Sequence, residues 1–161
     1  MALLEEISKY LQQGRAKNVK ELVQKALDEG IEPTDILNEG LLDGMGIIGE
    51  KFKNNEVYVP EVLIAARAMY AGMEIIRPIL TETGVKSIGK VVIGTVKGDL
   101  HDIGKNLVKM MMEGRGLEVI DLGIDVSPER FIEAAKEHDA QIIACSALLT
   151  TTMTEMKNVV E

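Results

Sequence analysis

The sequence predicts α + α/β architecture: a four-helix bundle followed by a domain with a parallel sheet. Two observations carry that prediction. Over residues 1–82 apolar side chains recur at helical spacing, and the stretches are separated by short loops marked by Gly or Pro. From residue 90 onward, short β-branched runs alternate with helix-like stretches, the grammar of a parallel sheet covered by helices. Between them, residues 83–89 (Thr83-Gly84-Val85-Lys86-Ser87-Ile88-Gly89) carry neither pattern and read as a linker.

In the first half, Leu3, Leu4, Ile7 and Leu11 share one helical face, and Gly14 closes that helix. Val19, Leu22, Val23, Ala26 and Leu27 form the second stripe, closed by Gly30. Pro33 suits the first turn of a third helix, with Asp35 favourable at its positive end. Leu37, Leu41, Met45, Ile48 and Phe52 then recur at near-heptad spacing. Pro60 and Glu61 open a fourth helix whose apolar face holds Leu63, Ala66, Met69, Tyr70, Met73 and Ile76. Pro78 is expected to end or kink it.

In the second half the expected order is strand 90–96, helix 104–115, strand 118–122, helix 128–138, strand 141–145, and a helix from about 152. Ser127-Pro128-Glu129 is a helix start: a capping hydroxyl, a proline in the first turn, then an acid. Such sheets commonly take the flavodoxin-like order 2-1-3-4-5. Three strands are few for that fold, so the α/β domain, residues 90–161, is expected to be incomplete at its C-terminal side.

Composition narrows the function. The chain has 161 residues and a net charge of −8, a poor match for a phosphate backbone, so no nucleic-acid partner is expected. No apolar stretch reaches the roughly 20 residues of a membrane span, and the acidic, amphipathic start is unlike a secretory signal. The single cysteine, Cys145, cannot form an internal disulfide; a cytoplasmic location fits. With two Phe, three Tyr and no Trp, the core must be aliphatic, and nine methionines help to fill it.

The candidate site lies where Val91-Val92-Ile93-Gly94-Thr95-Val96 runs out at Lys97-Gly98-Asp99-Leu100-His101. Ligands bind beyond this end of the strands, at the point where the strand order reverses. His101 therefore sits where chemistry is done, and Asp99 two residues earlier can orient it. With order 2-1-3, Ser146-Ala147-Leu148-Leu149-Thr150-Thr151-Thr152 would face it from the third strand, offering hydroxyls that both donate and accept. Blander readings exist for each: a loop histidine can be plain surface, and Ser or Thr after a strand can cap the next helix. Lys97 and Lys105 lie beside Gly98 and Gly104, but the spacing of a phosphate loop is absent. Zinc needs about four ligands, and His101, His138 and Cys145 are too few. Ser146 lacks a nucleophile elbow. One nitrogen oriented by one acid suits a metal whose other positions a macrocycle already fills.

Asp99-Leu100-His101-Asp102-Ile103-Gly104 has the D-x-H-x-x-G signature of cobalamin-binding domains. The longer run VKGDLHDIGKN closely resembles the module of cobalamin-dependent methionine synthase and of corrinoid methyl-carrier proteins. Ser146-Ala147-Leu148 matches that family's S-x-L motif, and Thr150 and Thr152 fall on its hydroxyl positions. Gly44-Met45-Gly46-Ile47-Ile48-Gly49-Glu50-Lys51-Phe52 and Val59-Pro60-Glu61-Val62 resemble the helical cap over the corrin. A family Gly-Gly pair near the C-terminus, which helps to house the nucleotide tail, does not occur in this sequence.

The resemblance implies a Rossmann-type cobalamin-binding domain and, as cofactor, cobalamin or a related corrinoid that cycles through a methylcobalamin state. His101 would replace the cofactor's own base as lower cobalt ligand. Asp99 would accept its other ring N–H, and Thr152 would support Asp99. Gly98, Asp102, Ile103 and Gly104 would complete that loop, and the tail would pass Ser146, Leu148 and Thr150. Phe52 and Val59 would shield the methyl group, and the linker would hinge to expose it. The implied partners are a substrate-specific methyltransferase, an acceptor methyltransferase and a reductive activase. The donor would be a methylamine, methanol or a methoxy compound, and the acceptor a thiol or pterin. A chain of this kind is a carrier, not a complete enzyme. Three alternatives stay open: a cobalamin-dependent sensor or regulator, the cobalamin subunit of a mutase, and a fragment of methionine synthase itself.

Overall fold

The computed structural model describes residues 2–161, which divide into two compact units with their boundary between Lys86 and Ser87. The first is helical: α1 (Ala2–Gln12), α2 (Ala16–Asp28), α3 (Pro33–Asp35), α4 (Asp43–Lys53) and α5 (Val59–Glu82). Leu4, Ile7 and Leu11 of α1 and Val19, Val23 and Ala26 of α2 are buried, the stripes expected from their spacing. Gly30 closes α2 at φ +81, a conformation that costs glycine nothing. The N–H groups of Gly30 and Ile31 then reach back to the carbonyls of Leu27 and Ala26, satisfying the last turn.

Three details of this unit differ from expectation. The third helix is not uniform: a π-helical stretch, Ile36–Leu42, joins α3 to α4. Its i→i+5 bonding puts more residues into each turn, so Ile36, Gly40 and Leu41 face inward and Leu37 is only half-buried. Pro78 does not end α5, which continues to Glu82. Pro78 and Glu74 are both exposed, so the carbonyl left without its N–H partner lies on the side facing water. Leu63 is 42% exposed, because α5 turns its small residues, Ala65, Ala66, Ala68 and Gly72, toward its neighbours. A Cβ on Gly72 would come within 2.7 Å of Leu41, which shows how close that approach is.

The second unit is a three-stranded parallel sheet in the order β2-β1-β3, built from β1 (Lys90–Thr95), β2 (Glu118–Asp121) and β3 (Ile142–Ser146). Helices α6 (Ile103–Glu113), α7 (Pro128–Glu137) and α8 (Glu155–Val160) alternate with the strands. The Ser127 hydroxyl caps α7, accepting the Arg130 N–H at 3.3 Å. Side chains alternate across β1. Val92, with Val96 just past the strand end, packs with Phe131, Ala134 and Val159 on the face covered by α7 and α8. Gly94 lies on that face too, where an added Cβ would meet the Phe131 ring at 3.0 Å.

The other face belongs to α6. Lys105, almost fully buried in its first turn, donates to Asp121 at 2.7 Å, and Asp121 pairs in register with Ile93. Lys109 lies 3.3 Å from the same carboxylate. Burial pushes the Asp121 pKa up, but Lys105, the Gly123 N–H and Lys109 outweigh it and hold the acid below its usual range. The unfolded chain therefore takes up this proton more readily than the folded one. The stabilisation is in place above the ordinary carboxylate pKa of about 3.9 and is lost as pH falls through Asp121's own lower value. Asp121→Asn is expected to unfold at lower urea than wild type at pH 7, with the gap narrowing steadily below about pH 4. A gap that stays constant with pH would overturn this.

Candidate functional site

The site begins at two adjacent strand ends. Thr95 of β1 pairs with Ser146 of β3, so the loops that leave these strands start side by side. Past β1, Gly98 adopts φ +80, a left-handed turn open to glycine, and the Asp99 N–H bonds the Val96 carbonyl at 3.1 Å. That turn sends the Asp99 side chain inward, where the residue is fully buried.

A buried carboxylate must have its oxygens satisfied. Oδ1 of Asp99 accepts the His101 backbone N–H at 3.0 Å and lies 2.7 Å from ring Nδ1 of His101. Oδ2 accepts the Thr152 hydroxyl at 2.7 Å and the N–H groups of Leu148 and Leu149 at 2.9 and 3.3 Å. The Thr152 hydroxyl, then the N–H groups of His101 and Leu148, hold the Asp99 pKa far below the ordinary carboxylate range, against burial, which would raise it. Asp99 is thus a fixed anion. A fixed anion at Nδ1 selects the tautomer with the proton there and leaves Nε2 as the basic nitrogen.

Nε2 of His101 has no hydrogen-bond partner among the described residues, and the side chain is 51% exposed. Leu100, Leu148 and Leu149 are exposed in the same two loops, and Ile103 is exposed in the first turn of α6. Among the described residues, no group of three or more His, Cys, Asp or Glu side chains could hold a bare metal ion. A lone imidazole nitrogen in an apolar setting fits a metal that arrives with its other ligands, as a corrinoid cobalt does.

The structure brings together Asp99, His101, Leu148 and Thr152 from the residues singled out in the sequence. Gly98 joins them through its turn and by donating its N–H to Asp125 at 2.8 Å. Asp102 is the N-cap of α6 without a side-chain cap, and Ile103 and Gly104 form the exposed first turn. Ser146 engages through its backbone, accepting the Val96 N–H at 2.9 Å, and Thr150 is exposed. Neither hydroxyl has a hydrogen bond among the described residues. Phe52, near the end of α4, and Val59, the first residue of α5, are half-buried in the helical unit. Lys105, beside Gly104, is paired with Asp121.

Two contributors escaped the sequence reading. The Thr95 hydroxyl bonds the His101 carbonyl at 2.7 Å, and Asp125 bonds both Gly98 and, by its own N–H at 3.0 Å, the Asp99 carbonyl. Thr95 was hidden because a β-branched residue at the end of a strand looks like packing. Asp125 takes φ +52, which Asp tolerates better than most residues, and an acid in a short loop after a strand was the only signal it gave.

Comparison with known proteins gives the family. Two family models, each described as a B12 binding domain, match residues 3–77 and 89–161. The chain is 42% identical over 164 residues to a corrinoid protein of Desulfitobacterium hafniense (strain Y51), covering 100% of this chain and 76% of that protein. It belongs to the corrinoid-protein family. A corrinoid, cobalamin or a relative, is therefore its cofactor. Trimethylamine corrinoid protein 1 of Methanosarcina acetivorans is 47% identical over 135 residues, covering 83% of this corrinoid protein and 62% of the relative. Among solved structures, the methanol:cobalamin methyltransferase complex of Methanosarcina barkeri contains a chain that superposes with a TM-score of 0.89 at 33% identity. That match covers 98% of this corrinoid protein and 61% of the other chain. A cobalamin-binding protein of D. hafniense DCB-2 gives 0.76 at 29% identity, over 98% and 74% of the two chains. No helix among the described residues is long and apolar enough to cross a membrane.

Proposed function

We propose that this corrinoid protein is a methyl carrier that shuttles between two methyltransferases, with His101 as the lower ligand of its cobalt. The cobalt supplies a centre that accepts a methyl group from one enzyme and yields it to another. Everything else in the proposal is work for this chain's own residues.

The observation that carries the reading is the hydrogen-bonded series Thr152 – Asp99 – His101, which ends on a ring nitrogen with no protein partner. Asp99 aims the imidazole and sets its tautomer; the Thr152 hydroxyl and the Leu148 and Leu149 N–H groups keep Asp99 ionised and still. Gly98, Asp102, Ile103 and Gly104 shape the loop around the ligand. Ser146, Leu148 and Thr150 would line the path of the nucleotide tail, to which the unbonded hydroxyls of Ser146 and Thr150 would offer donors and acceptors.

Relatives named for trimethylamine and dimethylamine favour a methylated amine as the ultimate donor, with methanol next. The test loads the chain with cobalamin, reduces it, and supplies trimethylamine, dimethylamine or methanol together with the methyltransferase specific for each. Methylation, followed by the change in cobalamin absorption, is expected with one amine and its enzyme. A chain that binds no cobalamin, or stays unmethylated with every pair, would overturn the reading.

A further inference from the structure

We propose that Thr95 is a positioning residue for His101: its buried hydroxyl, by holding the His101 carbonyl, fixes the backbone from which the ring projects. The proposal rests on the reading of His101 as cobalt ligand and adds a residue to it.

The ring of a ligand is only as well placed as the peptide units that carry it. On its N-terminal side His101 is tied by its N–H to Asp99. Its C-terminal side has no such tie from Asp102, whose side chain makes no cap bond, and no backbone N–H among the described residues reaches the His101 carbonyl. Thr95 supplies the missing tie at 2.7 Å, the same length as the bond between Asp99 and the ring.

Thr95 is suited to the task because it cannot move. It is fully buried at the last position of β1. Its N–H donates to the Gly123 carbonyl and its carbonyl accepts the Val126 N–H, both at 2.9 Å. A β-branched side chain has few χ1 rotamers, so a fixed backbone fixes the hydroxyl. The loop from Gly123 to Val126 thereby acts on the ligand twice, through Thr95 and through Asp125, which bonds Gly98 and Asp99. With both neighbouring peptides held and Nδ1 bonded to Asp99, Nε2 has one direction in which to point.

Thr95→Val keeps the shape and removes the hydroxyl; Thr95→Ser keeps the hydroxyl. Val92→Ala serves as a core variant that lowers stability without touching the loop, and His101→Ala as the ligand control. Three quantities are read: cobalamin affinity by calorimetry, axial nitrogen in the absorption spectrum of the loaded chain, and amide exchange at His101 in the unloaded chain. The expected result for Thr95→Val is affinity down about tenfold, the usual scale for a group that orients a metal ligand, with a smaller nitrogen-ligated fraction and faster exchange at His101. Thr95→Ser and Val92→Ala should retain wild-type ligation. Wild-type values for Thr95→Val would overturn the proposal, as would equal losses in Thr95→Ser or in Val92→Ala. If Thr95→Val is silent while His101→Ala loses its nitrogen signal, only the role of Thr95 falls. If His101→Ala itself keeps the wild-type spectrum, the ligand reading falls and takes this one with it.

Discussion

His101→Ala is expected to remove the protein's nitrogen from the cobalt and to leave the fold as it is. The side chain is half exposed, and its one side-chain bond, to Asp99, is a single contact on a carboxylate that keeps four other donors. Because the ring is half exposed, loss of that bond costs the fold no more than the low end of the about 1.5–3 kcal/mol usual for bonds to charged groups. The thermal midpoint without cofactor should therefore stay close to wild type. The loaded protein should show the absorption of cobalt without an axial nitrogen below, bind cobalamin more weakly, and fail to be stabilised by it to the wild-type extent. Asp99→Ala should show the same spectral loss with a larger fall in stability, because it takes the acceptor from the N–H groups of His101, Leu148 and Leu149 and breaks the buried bond from the Thr152 hydroxyl. A His101→Ala protein with the wild-type spectrum would show that another group holds the metal.

Phe131→Ala is expected to do the reverse: it should damage the α/β unit while leaving every group at the site chemically intact. The ring is fully buried and fills the space over Gly94, among Val92, Val96, Val126, Ala134 and Val159. Truncating a buried Phe costs about 3–5 kcal/mol, against a total of about 5–15 kcal/mol for a typical domain. The urea midpoint should fall sharply. Cobalamin, which binds the folded state alone, should recover part of that loss by mass action. It should recover much less for His101→Ala, and the comparison separates a fold defect from a ligand defect. A Phe131→Ala protein as stable as wild type would mean that α7 is not what closes this face of the sheet.

The elements differed in how plainly the chain announced them. Ser127-Pro128-Glu129 gave the start of α7 because capping is local chemistry. The strand order followed from the alternation of β-branched runs and helices, since short crossovers leave parallel neighbours few options. Pro78 alone did not decide whether α5 ends there, because a proline's effect on a helix depends on whether water can reach the carbonyl it strands, and that is a property of the packed surface. The π-helical stretch at Ile36–Leu42 left no local mark: it arises where α1 and α5 crowd one side of the segment, and Gly40 packs against Ile7.

The site divides along the same line. Asp99 and His101 lie two residues apart, so a glycine turn suffices to set their relation, and the letters D-x-H spell it. Thr152 could be paired with Asp99 only through resemblance to other chains, because 53 positions separate them. Thr95, Asp125 and the fate of Lys105 were decided by the ladder between β1, β2 and β3, which sets side by side groups that the chain keeps far apart. Local sequence can specify which nitrogen is offered and which acid aims it. How firmly that nitrogen is held depends on buried hydrogen bonds between strand ends, and these exist only once the sheet has formed.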